Sequence, residues 1–181
     1  MKFRTIEASD IRENAVELFG KRWALLTAGP MENHNTMTVS WGALGELWHK
    51  PMITAYVRPV RYTFGFMERE DYFTLSFFGE EYRQQLAFCG AKSGRDVNKD
   101  EWCGITPLEH STGCVYYEQA ELVIVCRKLY SDNLRPENFE DEELCRCQMA
   151  DTLHKFYYGE IIERSVSFVA NAAYNDPNAG F

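Results

Sequence analysis

The chain has 181 residues, 45% of them hydrophobic and 25% charged, which fits one domain with a sizeable core and excludes disorder over most of its length. Its 27 acidic and 19 basic side chains give a formal net charge of −8, which argues against nucleic acid as a partner but leaves room for a small anion in a local pocket. Phe, Tyr and Trp make up 14%, a load that suits a dense β core, a flat ligand pocket or a subunit interface.

Ser9-Asp10 followed by Glu13 reads as a capping box opening a helix, with Ile11, Ala15, Leu18 and Phe19 on one face and Gly20 ending it. Residues 23–27 form a short apolar run and a first strand, closed by the Gly29-Pro30 turn signal. Residues 36–40 alternate and are rich in β-branched side chains, as a half-buried strand is. Residues 52–57 make a third strand, stopped by Pro59. The pattern turns helical over 61–69, returns to strand over 72–78, and is helical again over 80–91, where Tyr82, Leu86 and Cys89 recur at helical spacing. Residues 92–113 read as a long irregular loop, a feature that in compact domains usually serves function. A long strand or hairpin over 114–130, an acidic helix over 136–150 and a last strand over 156–166 complete the chain.

The connections are too irregular for strict βαβ alternation, so the expected architecture is mainly β, a small antiparallel barrel with peripheral helices. One domain over residues 1–170 with a polar tail over 171–181 is expected. The first ten residues hold no apolar run, and no stretch reaches the ~18 apolar residues of a membrane span. The expectation is a cytoplasmic chain without a membrane partner, its six cysteines mostly free thiols. Cys145-x-Cys147 lacks a second pair or a His at zinc-binding spacing, so no metal is assigned.

No G-x-G-x-x-G, no P-loop and no G-x-S-x-G elbow occurs, and the four histidines show no H-x-x-x-H pair. Three polar clusters remain. In Asn35-Thr36-Met37-Thr38-Val39-Ser40-Trp41, three hydroxyls share one strand face and Met37, Val39 and Trp41 the other. That is either a ligand-binding edge or the polar face of an ordinary strand. In Arg58-Pro59-Val60-Arg61-Tyr62-Thr63, a helix opens on an Arg and a Thr, which makes either a phosphate cradle or a cap beside a surface Arg. Residues 92–99 carry three cations among small residues, either a solvated run or a loop that closes on a phosphate.

In this order the clusters resemble the flavin reductase family, most closely its flavoredoxin-like branch. The similarity rests on residues 35–42, Leu47-Trp-His-Lys-Pro51, Val57-Arg-Pro-Val-Arg-Tyr-Thr63, Ser93-Gly-Arg-Asp-Val-Asn-Lys99 and His154-Lys-Phe-Tyr-Tyr-Gly-Glu-Ile161. It spans roughly residues 23–163. What it implies is an FMN-binding split β-barrel, Greek-key in type, that works as a homodimer with FMN near the interface. By the same resemblance Asn35, Thr36, Met37, Thr38, Val39, Ser40 and Trp41 line the flavin ring and ribityl chain. Arg61, Tyr62 and Thr63 hold the phosphate; Ser93, Gly94 and Lys99 close over the cofactor. His154 stands where NAD(P)H or a reduced protein donor approaches. The implied activity is oxidoreduction from NAD(P)H through FMN to a free flavin or protein acceptor. The alternatives are an electron carrier or sensor that ignores NAD(P)H, and an acidic scaffold with no cofactor.

Overall fold

The computed structural model describes residues 3–11, 13–149 and 152–167. The short strand β1 (Phe3–Thr5) leads to a helical region, α1 (Ala15–Glu17), which continues as a π turn over Leu18–Arg22. Then come β2 (Ala24–Ala28), β3 (Asn35–Val39), β4 (Gly42–Leu47), β5 (Lys50–Val57), α2 (Tyr62–Arg69) and β6 (Tyr72–Phe77). A second stretch holds α3 (Arg83–Ala91), α4 (Lys99–Cys103), β7 (Pro107–Glu109) and β8 (Val115–Tyr117). The long strand β9 (Leu122–Asn133), α5 (Glu142–Met149) and β10 (Lys155–Ser167) follow.

One antiparallel sheet runs β3-β2-β6-β9-β10-β5-β4, with β1 pairing β10 as well. Met37 and Val39 of β3 share one buried cluster with Ile53, Ala55 and Val57 of β5, although the two strands lie far apart in the sheet order. The sheet therefore curls on itself, as the alternating apolar faces of its strands require. It remains open between β3 and β4, its two ends. Phe19, on the π turn, covers that seam. A Cβ built on Gly42 would lie 2.3 Å from its ring, so only glycine lets β4 begin against it. A second cluster forms on the opposite face, where Leu25, Val123 and Val125 meet Leu86 and Cys89 of α3, Cys103 of α4 and Tyr117 of β8.

The fold departs from the sequence expectation at several places. The first helix is capped by Asn14, whose side chain accepts from the N–H groups of Val16 and Glu17; Asp10 instead accepts from Glu7 N–H. Gly20 lies within the π turn, and the turn ends at Trp23, with φ of 65°. Strands β1 and β4 have no counterpart in the sequence reading. The 92–113 loop holds α4 and β7. Residues 114–130 split between two sheets, because β8 pairs with β7 rather than β9. The acidic helix is a 3-10 turn (Pro136–Asn138) followed by α5. The expected tail over 171–181 lies outside the described residues. Among the described residues no helix is long and apolar enough to cross a membrane, and no cluster of three His, Cys, Asp or Glu could hold a metal ion.

Candidate functional site

Strand β3 is the floor of the site, and its two faces have separate tasks. Met37 and Val39 point into the barrel. Thr36 and Thr38 share the other face: Thr38 Oγ1 donates to the Leu86 carbonyl of α3, and Thr36 Oγ1 to the Leu26 carbonyl of β2. The hydroxyl protons of these two threonines are therefore spent inside the protein. Thr38 braces α3 on β3 and Thr36 ties β3 to β2, and toward a ligand the two hydroxyls could act only as acceptors.

Pro59 ends β5, and the chain turns through an Arg61 N–H to Arg58 carbonyl bond of 3.0 Å before α2 begins. Arg61 is the N-cap, so the first-turn N–H groups of Tyr62 and Thr63 have no earlier helical carbonyl to bond. Far from the site, Glu68 near the end of α2 binds Lys155 and accepts from the Tyr157 hydroxyl at 2.8 Å. That clamp fixes the direction in which the helix opening points. Burial raises the Glu68 carboxyl, but the bonds from Lys155 and Tyr157 hold it below the usual carboxylate range.

Three cation-bearing segments meet above β3. The Arg61 guanidinium donates to the Gly90 carbonyl at 2.6 Å, and Lys99 Nζ donates to the carbonyls of Thr36 (2.6 Å) and Cys89 (2.8 Å). Two cations thus cap the C-terminal end of α3, where the helix dipole favours positive charge. Lys99 is only 6% exposed; burial, and secondarily the Arg61 charge, push its ammonium below the ordinary lysine range. Asn35, also buried, donates from Nδ2 to Thr63 Oγ1 at 2.7 Å, which leaves the Thr63 O–H proton to donate. Ser93 Oγ accepts from the Arg95 N–H, and the Arg95 guanidinium stands 4.7 Å over the Tyr62 ring.

These groups enclose a hollow of about 260 Å³. It brings together Asn35, Met37, Arg61, Tyr62, Thr63, Ser93, Gly94 and Lys99, eight residues drawn from the three sequence clusters. Arg58, Lys92 and Arg95 complete a five-cation rim, and no Asp or Glu is among the lining residues. Arg61, Lys92, Arg95 and Lys99 make no ion pair among the described residues. In a chain of net charge −8, so many cations without a lining carboxylate make this hollow a candidate anion site.

A second hollow, of about 200 Å³, adjoins the first through Met37, Arg58 and Arg61. Thr38, Val39, Ser40, Trp41 and His154 line it, together with Tyr56. Trp41 is 49% exposed and its ring centroid lies 4.8 Å from that of His154. Thr36 lies apart from both hollows, in the wall of a third of about 520 Å³ that shares Asn35, Tyr62, Gly94, Arg95 and Lys99 with the first. That wall also holds His34 and Asp100, which the motif reading passed over. His34 Nε2 lies 2.8 Å from Asp100 Oδ2, and the Tyr117 hydroxyl donates to Asp100 Oδ1 at 2.8 Å. Tyr56 carries no sequence signal either; only the β5–β10 register puts it beside His154.

The model of the flavin reductase like domain matches residues 16–171. No curated protein matches the chain. Among solved structures, an FMN-binding domain of a flavin reductase-like enzyme from Shewanella baltica aligns with TM-score 0.65 and 17% identity, covering 91% of this chain and 77% of that one. Flavoredoxin from Methanosarcina acetivorans aligns with TM-score 0.64 and 20% identity over 81% and 69%. A flavin reductase described as having a split barrel domain, from Shewanella frigidimarina, aligns with TM-score 0.65 and 18% identity over 87% and 75%. The open, curled sheet is that split barrel fold.

Proposed function

The chain belongs to the flavin reductase like family, and on that premise we propose that it is a cytoplasmic FMN-dependent oxidoreductase that passes hydride or electrons from NAD(P)H to a free flavin or a protein acceptor. The observation that carries this reading is the junction of the two hollows: a cationic cradle free of lining carboxylates opens, through Met37 and Arg61, onto an aromatic recess. A planar ring with a phosphorylated tail has that shape and charge.

Bound there, FMN supplies the two-electron chemistry. The chain's own residues bind and orient it. The first-turn N–H groups of α2, the Arg61 guanidinium and the Thr63 hydroxyl take the phosphate. Ser93, Gly94 and Lys99 close the loop over the tail. Residues 37–41, on the edge strand β3 and beyond it, line the ring. His154 and Trp41 stand at the open side, where they exclude water and hold a donor ring.

A second copy of the chain completes the site in this reading. Exposed Trp48 and Tyr130 and half-buried Phe156 and Tyr158 form a band of rings with neighbouring centroids 5.2 to 6.5 Å apart. Tyr56 pairs with Phe156 across β5 and β10, so the band runs on to the recess. An aromatic surface of that kind suits burial against another subunit.

The test is anaerobic mixing of the FMN-loaded protein with NADH and with NADPH. The reading predicts loss of the oxidised flavin absorbance with at least one of them. If both leave it oxidised while a reduced protein donor bleaches it, the electron-carrier reading replaces this one, and the likeness to flavoredoxin is what favours it.

A further inference from the structure

Two buried thiols lie where the proposed site gives them no part. Cys89 Sγ in α3 and Cys103 Sγ in α4 are 3.5 Å apart, with Cys89 fully buried and Cys103 at 6% exposure. They are separated by 14 positions, and the segment between them is the loop that carries Lys92, Ser93, Gly94, Arg95 and Lys99. The thiols therefore stand at the two feet of the cationic loop. The Cys89 foot is tied to the loop directly, since its carbonyl accepts from Lys99 Nζ, and the next carbonyl, Gly90, accepts from Arg61 at the start of α2. Phe88 and Trp102, one residue before each thiol, stack face to face, so the α3–α4 seam holds the sulfurs in register.

We propose that Cys89 and Cys103 are a redox pair which a hydroperoxide converts to a disulfide, stapling the feet of the anion-binding loop. Cys103, the outer thiol, loses its proton to water and its thiolate attacks one peroxide oxygen. An S–O bond forms, the O–O bond breaks, and hydroxide leaves to become water. The Cys89 sulfur then attacks the Cys103 sulfenic acid; the S–S bond forms, the S–O bond breaks, and a second water departs with the Cys89 proton. Two thiols are oxidised by two electrons and one hydroperoxide is reduced. Burial raises both thiols and makes the first step slow, whereas the nearby Lys99 charge favours each thiolate. No other cysteine pair among the described residues makes a sulfur–sulfur contact: Cys114 bonds Thr112 Oγ1, and Cys145 faces Met149. A bond across the loop's feet removes open conformations of the loop, so a ligand beneath it leaves more slowly.

The full chain carrying Cys145→Ser and Cys147→Ser, which removes the two most exposed thiols, is treated with hydrogen peroxide while folded. The expected result is a loss of about 2 Da, a peptide linking Cys89 to Cys103, and reversal by dithiothreitol. Tryptic cleavage after Lys92 and Arg95 should slow in the oxidised form, and Cys103→Ser added to this background should abolish both effects. Unchanged mass, oxygen addition without cross-linking, or a bond between other cysteines overturns the proposal. The ligand consequence rests on the FMN reading: release of FMN should slow about tenfold on oxidation. Should neither form bind FMN, that reading fails, while mass and proteolysis still decide the disulfide.

Discussion

A single methyl group at position 94 would collide with the floor of the site. A Cβ there would lie 1.8 Å from Asn35 Oδ1 and 3.3 Å from the Tyr62 ring. Glycine is what lets the cationic loop rest on β3, and it lets Asn35 reach Thr63. Gly94→Ala should lift the loop at an overpacking cost of about 1–3 kcal/mol and weaken FMN binding about tenfold or more, read by flavin fluorescence titration. His34 acts one residue before Asn35. Burial works against its charged form, but the hydrogen bond and charge of Asp100 outweigh it, and its pKa stands above the ordinary value of 6.5. A raised folded value means the ion pair stabilises fully below about pH 6.5 and is lost as pH rises through the folded pKa. His34→Gln should therefore cost about 1–2 kcal/mol at pH 6, and less at pH 9, by urea unfolding at the two pH values.

At the scale of elements, α4 shows how local chemistry places a functional side chain. The Asn98 side chain accepts from Glu101 N–H, Gly104 ends the helix in the left-handed conformation, and between them Lys99 is aimed at β3. Asn98→Ala should cost about 1 kcal/mol and weaken FMN binding along with it, because a frayed first turn releases Lys99. Both capping signals stand in the sequence, yet Gly, Pro and Asn around them give residues 92–113 the look of plain loop. Strand β4 was hidden for another reason. Gly42 and Gly45 dilute its alternation, and its hairpin turns on Trp48-His49, both at positive φ, where Asn-Gly would announce the turn. His49→Gly should relieve that conformation and raise the melting temperature by about 2 °C. The strands rich in β-branched residues, β3 and β5, and helix α2 were legible, because burial on one face imposes their periods. The cradle residues were legible as cations beside a helix start. The inward commitment of the Thr36 and Thr38 hydroxyls was not, since alternation says which side chains share a face and not which face α3 covers.

At the scale of the whole molecule, the curled sheet gathers three distant segments at one end, and the aromatic band leads away from that end across β5, β10 and β9. If the band is the contact between subunits, Trp48→Glu with Tyr130→Glu should shift sedimentation from dimer to monomer and weaken FMN binding, while the far-ultraviolet circular dichroism stays unchanged. The acidic net charge and the cationic hollow act together: repulsion keeps most anions from the surface, while the cradle concentrates positive potential at the proposed phosphate site.

The central claim is that this cradle holds the phosphate of a flavin. It is tested most directly by titrating FMN and riboflavin, which differ only in that phosphate, against the native chain and Arg61→Ala. The account predicts saturable FMN binding in the micromolar range or tighter, riboflavin about 10- to 100-fold weaker, and a variant in which that gap largely closes. Equal affinity of the native chain for the two flavins, or no saturable binding of FMN, would contradict it.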